Sequence, residues 1–326
     1  MPLLSKRIVG GSPAPTHEYP FAVYLSIETQ PSWHAVCGGT LVSNQHVVTA
    51  AHCIYHAPSA SAVKVGLGSA QVKRQTRVVG GELFVHPQFN MRTLANDIAV
   101  VRLARPVAMS EWQHRIPVYF GPVHAGLTVT TMGWGITSND PGARTVPTMN
   151  RVDLQVAEAH KCRRVDAMFA GSDGPFVCTS TMPGNRDECN GDSGSPAVVD
   201  MRELARGQLR RRSGKLLKTS RRRGRQGSSR DMRLVALTSY GDNTRHDEHP
   251  PCGDPDGFGF STHVAYYREF LTNATGMTQA QLEAPVLMDR QATLTSAAPG
   301  RPADVWPSVL AVLALLALLR AMNRPL

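Results

Sequence analysis

The chain has 326 residues, 42% of them apolar, and carries a formal net charge of +10. That length can bury a sizeable core, and the apolar share excludes wholesale disorder. Met201–Arg233 alone holds 13 Lys/Arg against Glu203 and Asp231, a net +11, so the rest of the chain stands near −1 and a basic groove across the body is excluded.

In chain order, Met1–Arg7 reads MPLLSKR and lacks the apolar stretch of a secretory signal. The six cysteines, at 37, 53, 162, 178, 189 and 252, form no C-x-x-C pair and point to three disulfides in an oxidising compartment. The two observations conflict, and a start upstream of Met1 is the expectation that reconciles them. Short runs rich in Val, Ile and Thr then recur between turn signals at Phe21–Ile27, Thr40–Val42, Val47–Thr49, Val63–Gly66, Ile98–Leu103, Leu127–Thr131 and Leu234–Thr238. With few helical periods between them, they predict an all-β sandwich or barrel. One helix is expected near the end, where Val264, Tyr267, Phe270 and Leu271 share a face and Gly276 supplies a stop. Residues 277–308 hold four prolines and read as a disordered tether.

Three islands carry the chemistry, in the order His, Asp, Ser: Thr49-Ala50-Ala51-His52-Cys53, Asn96-Asp97-Ile98-Ala99-Val100 and Gly191-Asp192-Ser193-Gly194-Ser195-Pro196. A serine hydroxyl becomes a nucleophile when an imidazole takes its proton and a carboxylate holds that imidazole in the right tautomer. The oxyanion that forms needs preorganised N–H donors, which a sharp glycine turn can supply. Singly, each island is more often structural than catalytic. The twelve histidines show no H-E-x-x-H spacing, so neither metal nor cofactor is expected.

Together, in this order and beside Cys53 and Cys189, the islands resemble the chymotrypsin-like (trypsin-type) serine proteases. Ile8-Val9-Gly10-Gly11, Gly133-Trp134-Gly135 and Ser239-Tyr240-Gly241 extend the resemblance from Ile8 to about Thr272. It implies two six-stranded antiparallel β-barrels, split near residue 120, within a protease domain at 8–276 that ends in the C-terminal helix. It also implies Ser193 as nucleophile, His52 as general base, Asp97 as its orienting carboxylate, and the amides of Gly191 and Ser193 as the oxyanion hole. The implied disulfides are Cys37–Cys53, Cys162–Cys178 and Cys189–Cys252. Ser195 stands where the family usually has glycine, and backbone strain there is expected to be the main risk to activity.

Specificity follows from Asp187, six residues before Ser193, which resembles the floor of a trypsin S1 pocket and implies cleavage after Arg or Lys. Ser239, Tyr240, Gly241 and Gly259 would line that pocket. Glu188 takes a position usually held by a small residue; tighter Arg preference and an outward, inert side chain are both open. The acids Asp242, Asp247 and Glu248 are expected to reshape the rim. Residues 1–7 resemble a pro-segment: cutting Arg7–Ile8 would free an ammonium to pair with Asp192 and order the oxyanion turn.

The basic run at 201–232 falls between two segments that resemble adjacent strands, so it reads as a disordered insertion into a hairpin. A polyanion-binding loop acting through 202–230, a translated intron and a nicked loop remain open. At the end, Ser296-Ala297-Ala298, a polar spacer Pro299–Ser308 and the apolar Val309–Leu319 read as a GPI-attachment signal or a short membrane anchor within a hydrophobic tail at 309–326. Asn273-Ala274-Thr275 is a glycosylation sequon. The expected protein is a monomeric, secreted or surface-attached endopeptidase, with protein or peptide substrates bearing Arg/Lys and with protein protease inhibitors as partners. A protease homologue serving as a binding module, and polyanion binding through the insertion, are the alternatives.

Overall fold

Strand β9, Asn150–Val156, shows how this sequence builds a sheet: Asn150, Val152, Leu154 and Val156 turn inward while the residues between them face out. Such period-two alternation puts every second side chain on one face of the pleat. The computed structural model describes residues 10–30, 33–182, 186–205 and 231–286. Six strands, β2 (Ala22–Gln30), β3 (Trp33–Leu41), β4 (His46–Thr49), β5 (Val63–Leu67), β6 (Thr76–Val85) and β7 (Ala99–Leu103), close into an antiparallel barrel in the order β2-β3-β4-β7-β6-β5. A second barrel contains β8 (Thr128–Gly133), β9, β10 (Phe176–Ser180), β11 (Pro196–Asp200), β12 (Met232–Asn243) and β13 (Gly257–His263), and pairing of β8 with β9 closes it. The short β1 (Ser12–Pro13) adds to the outer edge of β9. The all-β, double-barrel expectation holds.

Each barrel is filled by its own side chains. Val23, Leu25, Val47, Val65 and Val101 are fully buried in the first, and Val129, Val199 and Val235 are almost fully buried in the second. The barrels meet across a third cluster in which Tyr24 packs edge-to-face on Trp134 at 5.6 Å. Trp134 donates its indole N–H to the Ala70 carbonyl at 2.7 Å, so its one polar atom is satisfied inside the seam. Residues 104–127 connect the barrels, with Val118 bridged to Leu234.

Helix α1 (Ala51–Ile54) follows β4, and α2 (Ala159–Val165) follows β9. The predicted C-terminal helix is α3, Arg268–Thr275; Tyr267 and Leu271 are buried, and Gly276 caps it at φ 67°. A residue with no Cβ takes that left-handed conformation without strain. Asn273 lies exposed on α3, while the Thr275 hydroxyl donates to the Leu271 carbonyl.

The tether expected from 277 differs in its first ten residues. Helix α4 (Gln279–Glu283) forms there, started by a capping box between Thr278 and Gln281. Leu282 is buried and its carbonyl accepts from Val118 N at 2.9 Å, so this segment is packed on the body. The remainder of the tether and the hydrophobic tail lie outside the described residues, as do 1–9. The last register pair between β11 and β12 is Asp200–Met232, which makes 201–231 the connection of a paired hairpin. The disorder expected over 201–232 does not hold at its ends, because residues 201–205 are helical with Leu204 buried against the second barrel's core and Met232 already belongs to β12. Residues 206–230 lie outside the described set. No helix among the described residues is long and apolar enough to cross a membrane.

Candidate active site

The three islands come together where the barrels face each other. His52 sits on α1 immediately after β4, Asp97 on the turn entering β7, and Ser193 on the turn entering β11. Leu94 and Asn96, at φ 52° and 57°, bend the chain sharply before Asp97 and aim its side chain inward. His52 Nδ1 lies 2.8 Å from Asp97 Oδ2, and the His52 amide donates to Asp97 Oδ1 at 2.9 Å. Ser239 Oγ donates to Asp97 Oδ2 at 2.5 Å, and Thr262 Oγ1 donates to the Asp97 carbonyl at 2.8 Å. Asp97 has no exposed surface. Its carboxylate thus receives three donors and holds the imidazole with Nε2 directed away from it.

Ser193 is brought to the same place by backbone. Gly38 N, on β3 of the first barrel, donates to the Ser193 carbonyl at 2.8 Å. The Cys53 Sγ atom lies 3.6 Å from that carbonyl oxygen and 3.8 Å from His52 Nε2. His52 is one-fifth exposed, and Ser193 is partly exposed. The ligand atoms of Cys37, His52 and Cys53 also cluster, but both sulfurs are joined in a disulfide and cannot act as thiolates.

The turn before Ser193 is locked by its other amides. Asp192 N donates to the Cys189 carbonyl at 2.9 Å, Gly194 N to Thr238 at 2.7 Å, and Ser195 N to Asp192 at 2.9 Å. The amides of Gly191 and Ser193 donate to nothing among the described residues, and Gly191 has φ 94°. Two free donors on a rigid glycine turn can hold a developing oxyanion. Asp192 is buried, and its carboxylate accepts from Gly135 N at 2.8 Å and Cys189 N at 3.1 Å. Burial pushes its pKa up to about 7 despite those two amides.

Ser195 corrects the expectation of strain. Among the described residues, non-glycine positive φ occurs at Leu94, Asn96 and His246, and Ser195 is not one of them. Its side chain fits because Gly38 and Gly133 face it: a Cβ on Gly38 would meet Ser195 Oγ at 2.0 Å, and one on Gly133 at 2.7 Å.

Beside Ser193 opens a cavity of about 690 Å³ lined by Asp187, Glu188, Ser193, Ser239, Tyr240, Gly241 and Gly259, among others. Gly241 and Gly259 pair in register across β12 and β13. Asp187 Oδ2 accepts from Gly253 N at 2.9 Å. Burial, set against the amide bonds of Gly253 and Glu188, leaves the Asp187 pKa raised to about 6. Tyr240 stacks on Phe260 at 5.0 Å and donates its hydroxyl to Asp166, so burial and that bond drive its pKa far up. Ser239, expected on the pocket wall, lines the cavity but turns its hydroxyl to Asp97.

Asp247 on the rim is not a free negative charge. Arg245 pairs with Asp247 at 3.0 Å, with Asp256 at 3.0 Å, and with the buried Asp254, while His246 Nδ1 lies 3.7 Å from Asp242. Asn139 exchanges two hydrogen bonds with the Cys252 backbone. Arg245, Asp254, Gly253 and Asn139 therefore hold the loop that touches Asp187, and no local motif announced them. The three disulfides pair as the resemblance implied: Cys37–Cys53, Cys162–Cys178 and Cys189–Cys252. Arg7 and Ile8 lie outside the described residues.

A double six-stranded barrel with serine, histidine and aspartate gathered in its cleft is the architecture of a serine hydrolase of the chymotrypsin type. The chain belongs to the trypsin family, a group of serine proteases: the Trypsin family model matches residues 8–206, ending within the connection between β11 and β12. It is similar to a trypsin of Phaedon cochleariae, 32% identical over 198 residues, covering 60% of this chain and 74% of that protein. It is also similar to chymotrypsin-C of Mus musculus, 34% identical over 204 residues, covering 60% and 73%. A match to ovochymase-2 of Mus musculus, 32% identical over 219 residues, covers 62% of this chain but spans 34% of the relative's length.

Proposed function

We propose that this serine protease is an endopeptidase that cuts after Arg and Lys through an acyl-enzyme at Ser193. His52 Nε2 takes the Ser193 proton as Oγ attacks the scissile carbonyl carbon. The amides of Gly191 and Ser193 receive the oxyanion. His52 then returns the proton to the leaving amine, and water repeats the sequence to release the acid. Asp97 orients His52 and stabilises its imidazolium. The observation that carries the specificity is the acid-floored cavity beside Ser193: an apolar side chain over Asp187 would leave a buried carboxylate without a partner.

Activation by cleavage at Arg7–Ile8 belongs to the same reading. Pro13 pairs with Asn150, Asn150 with Gly133, and a Cβ on Gly133 would lie 2.2 Å from Asp192 Oδ1. Ile8 is four residues before Ser12, about 14 Å of extended chain. A freed ammonium would give the Asp192 carboxylate the cation it lacks among the described residues. Three disulfides support a secreted or surface-attached protein, with Arg/Lys-bearing polypeptides as substrates and protein inhibitors as further partners.

The test is hydrolysis of peptides that differ only in the residue before the bond, by protein cut at Arg7–Ile8. Arg and Lys peptides should turn over and a Phe peptide should not, with Ser193→Ala lowering kcat by about 10⁶. Equal rates for Phe and Arg would sink the specificity. Ligand binding without hydrolysis would favour the binding-module alternative, and heparin retention lost on deleting 202–230, again without hydrolysis, the polyanion one.

A further inference from the structure

One carboxylate suffices for the proposed S1 floor, and the pocket contains two. Glu188 is 9% exposed, and it does not turn outward: a Cβ placed on Gly259 would lie 3.7 Å from Glu188 Oε2. The hydroxyls of Thr131 on β8 and Thr238 on β12 face its carboxyl and have no other partner among the described residues. Its charged neighbours are Asp187 on its own loop and Asp192 beyond Cys189. Asp140, Asp242, Glu248, Asp254 and His249 line the outer cavity, and no Lys or Arg does so among the described residues. Arg245 is committed to Asp247, Asp254 and Asp256.

Adjacent acids in a low-dielectric pocket cannot both ionise without a cation. Burial, with Asp187 beside it, pushes Glu188 up to about 8, above Asp187 at about 6. The empty pocket therefore keeps a proton on the pair at neutral pH.

We propose that Glu188 is a second recognition carboxyl of the S1 pocket, which gives up its proton to solvent when a cationic side chain enters and selects arginine over lysine. The inference rests on Asp187 as the cation-binding floor. A guanidinium is planar and presents five N–H donors on separate edges, so it can bond two carboxylates at once. An ammonium is a compact charge that one carboxylate can largely satisfy. Because the bound cation favours the ionised pair, occupancy below pH 8 displaces a proton. Affinity for the cation must then rise with pH toward 8 and level above it.

The experiment uses the protein cut at Arg7–Ile8, with Glu188→Gln and Glu188→Ala beside the wild type. Paired Arg and Lys peptides read selectivity, and inhibition by benzamidine from pH 6 to 9 reads binding without chemistry. Both variants should lose about tenfold in the Arg-to-Lys ratio of kcat/KM, carried by KM. The rise in benzamidine affinity approaching pH 8 should also disappear in both. A ratio and a pH profile identical in all three proteins would overturn the role of Glu188 while leaving Asp187 as the floor. Wild-type cleavage after Phe at the Arg rate would instead overturn the floor itself, and the role of Glu188 with it.

Discussion

Asp97 and Asp192 are both buried at the junction of the barrels, 0% and 1% exposed, yet their surroundings differ in kind. Asp97 accepts from the His52 amide, His52 Nδ1 and Ser239 Oγ, so its lone pairs are matched by donors built into the fold. Asp192 accepts from two amides, and burial still raises its pKa to about 7. Asp187 and Glu188, in the adjoining pocket, are raised in the same direction. The His52–Asp97 side of the cleft has its hydrogen bonds matched as folded. The pocket side holds three acids whose donors are too few. On the proposed reading, one awaits a new N-terminus and two await a substrate cation.

The contrast can be broken most severely at the His52–Asp97 side. Asp97→Asn removes a lone pair facing His52 Nδ1 and presents an N–H instead, which favours the wrong imidazole tautomer. We expect kcat to fall by about 10⁴ with little change in KM, measured on an Arg peptide. A fall below tenfold would mean that His52 is oriented by something else. A smaller effect is expected at the pocket side from Gly135→Ala. Its new Cβ would stand 2.4 Å from Asp192 Oδ2 and displace the carboxylate that anchors the turn. Loss of about 10²–10³ in kcat, the usual effect of removing one oxyanion donor, is the predicted result. Unchanged turnover would detach Asp192 from the oxyanion turn.

How much of this could be read from the sequence depends on the range of the interaction. His52, Asp97 and Ser193 stand in short islands that are weak singly and become legible together, through their order and the family resemblance that order carries. Strand β5 was visible because Val63 and Val65 alternate with Lys64. Strand β6 was not: it contains Gly80 and Gly81, and its burial does not alternate. Strand β13 is buried on both faces, which removes the period that would mark it. The Ser239 hydroxyl bond to Asp97 spans 142 residues, and the clasp of Arg245 on Asp254 exists only once the rim loop has closed. Thr278 and Gln281 encode the start of α4, a two-residue signal that is weak beside the proline-rich composition downstream.

The last effect is on stability rather than turnover, and tests whether the pocket acids are a cost in the uncut chain. For a carboxyl whose folded pKa is raised, the native state binds the proton more tightly than the unfolded chain does. The associated stability is fully present below the unfolded pKa, about 4.3 for Glu, and is lost as pH rises through the folded value. For Glu188 that window runs from there to about 8. Glu188→Gln keeps the shape of the protonated acid and cannot ionise, so it should be nearly neutral at pH 4. At pH 9 the full shift corresponds to a stabilisation of the uncut protein by about 5 kcal/mol, roughly 10–20 °C in Tm for a domain of this size. Calorimetry of both proteins at the two pH values measures the difference directly. An equal shift at pH 4 and pH 9 would assign the effect to packing, and no shift at pH 9 would mean that Glu188 ionises there without penalty. The same substitution is predicted to lower selectivity in the active enzyme, so a gain in alkaline stability with a loss of Arg preference would tie both to one buried proton.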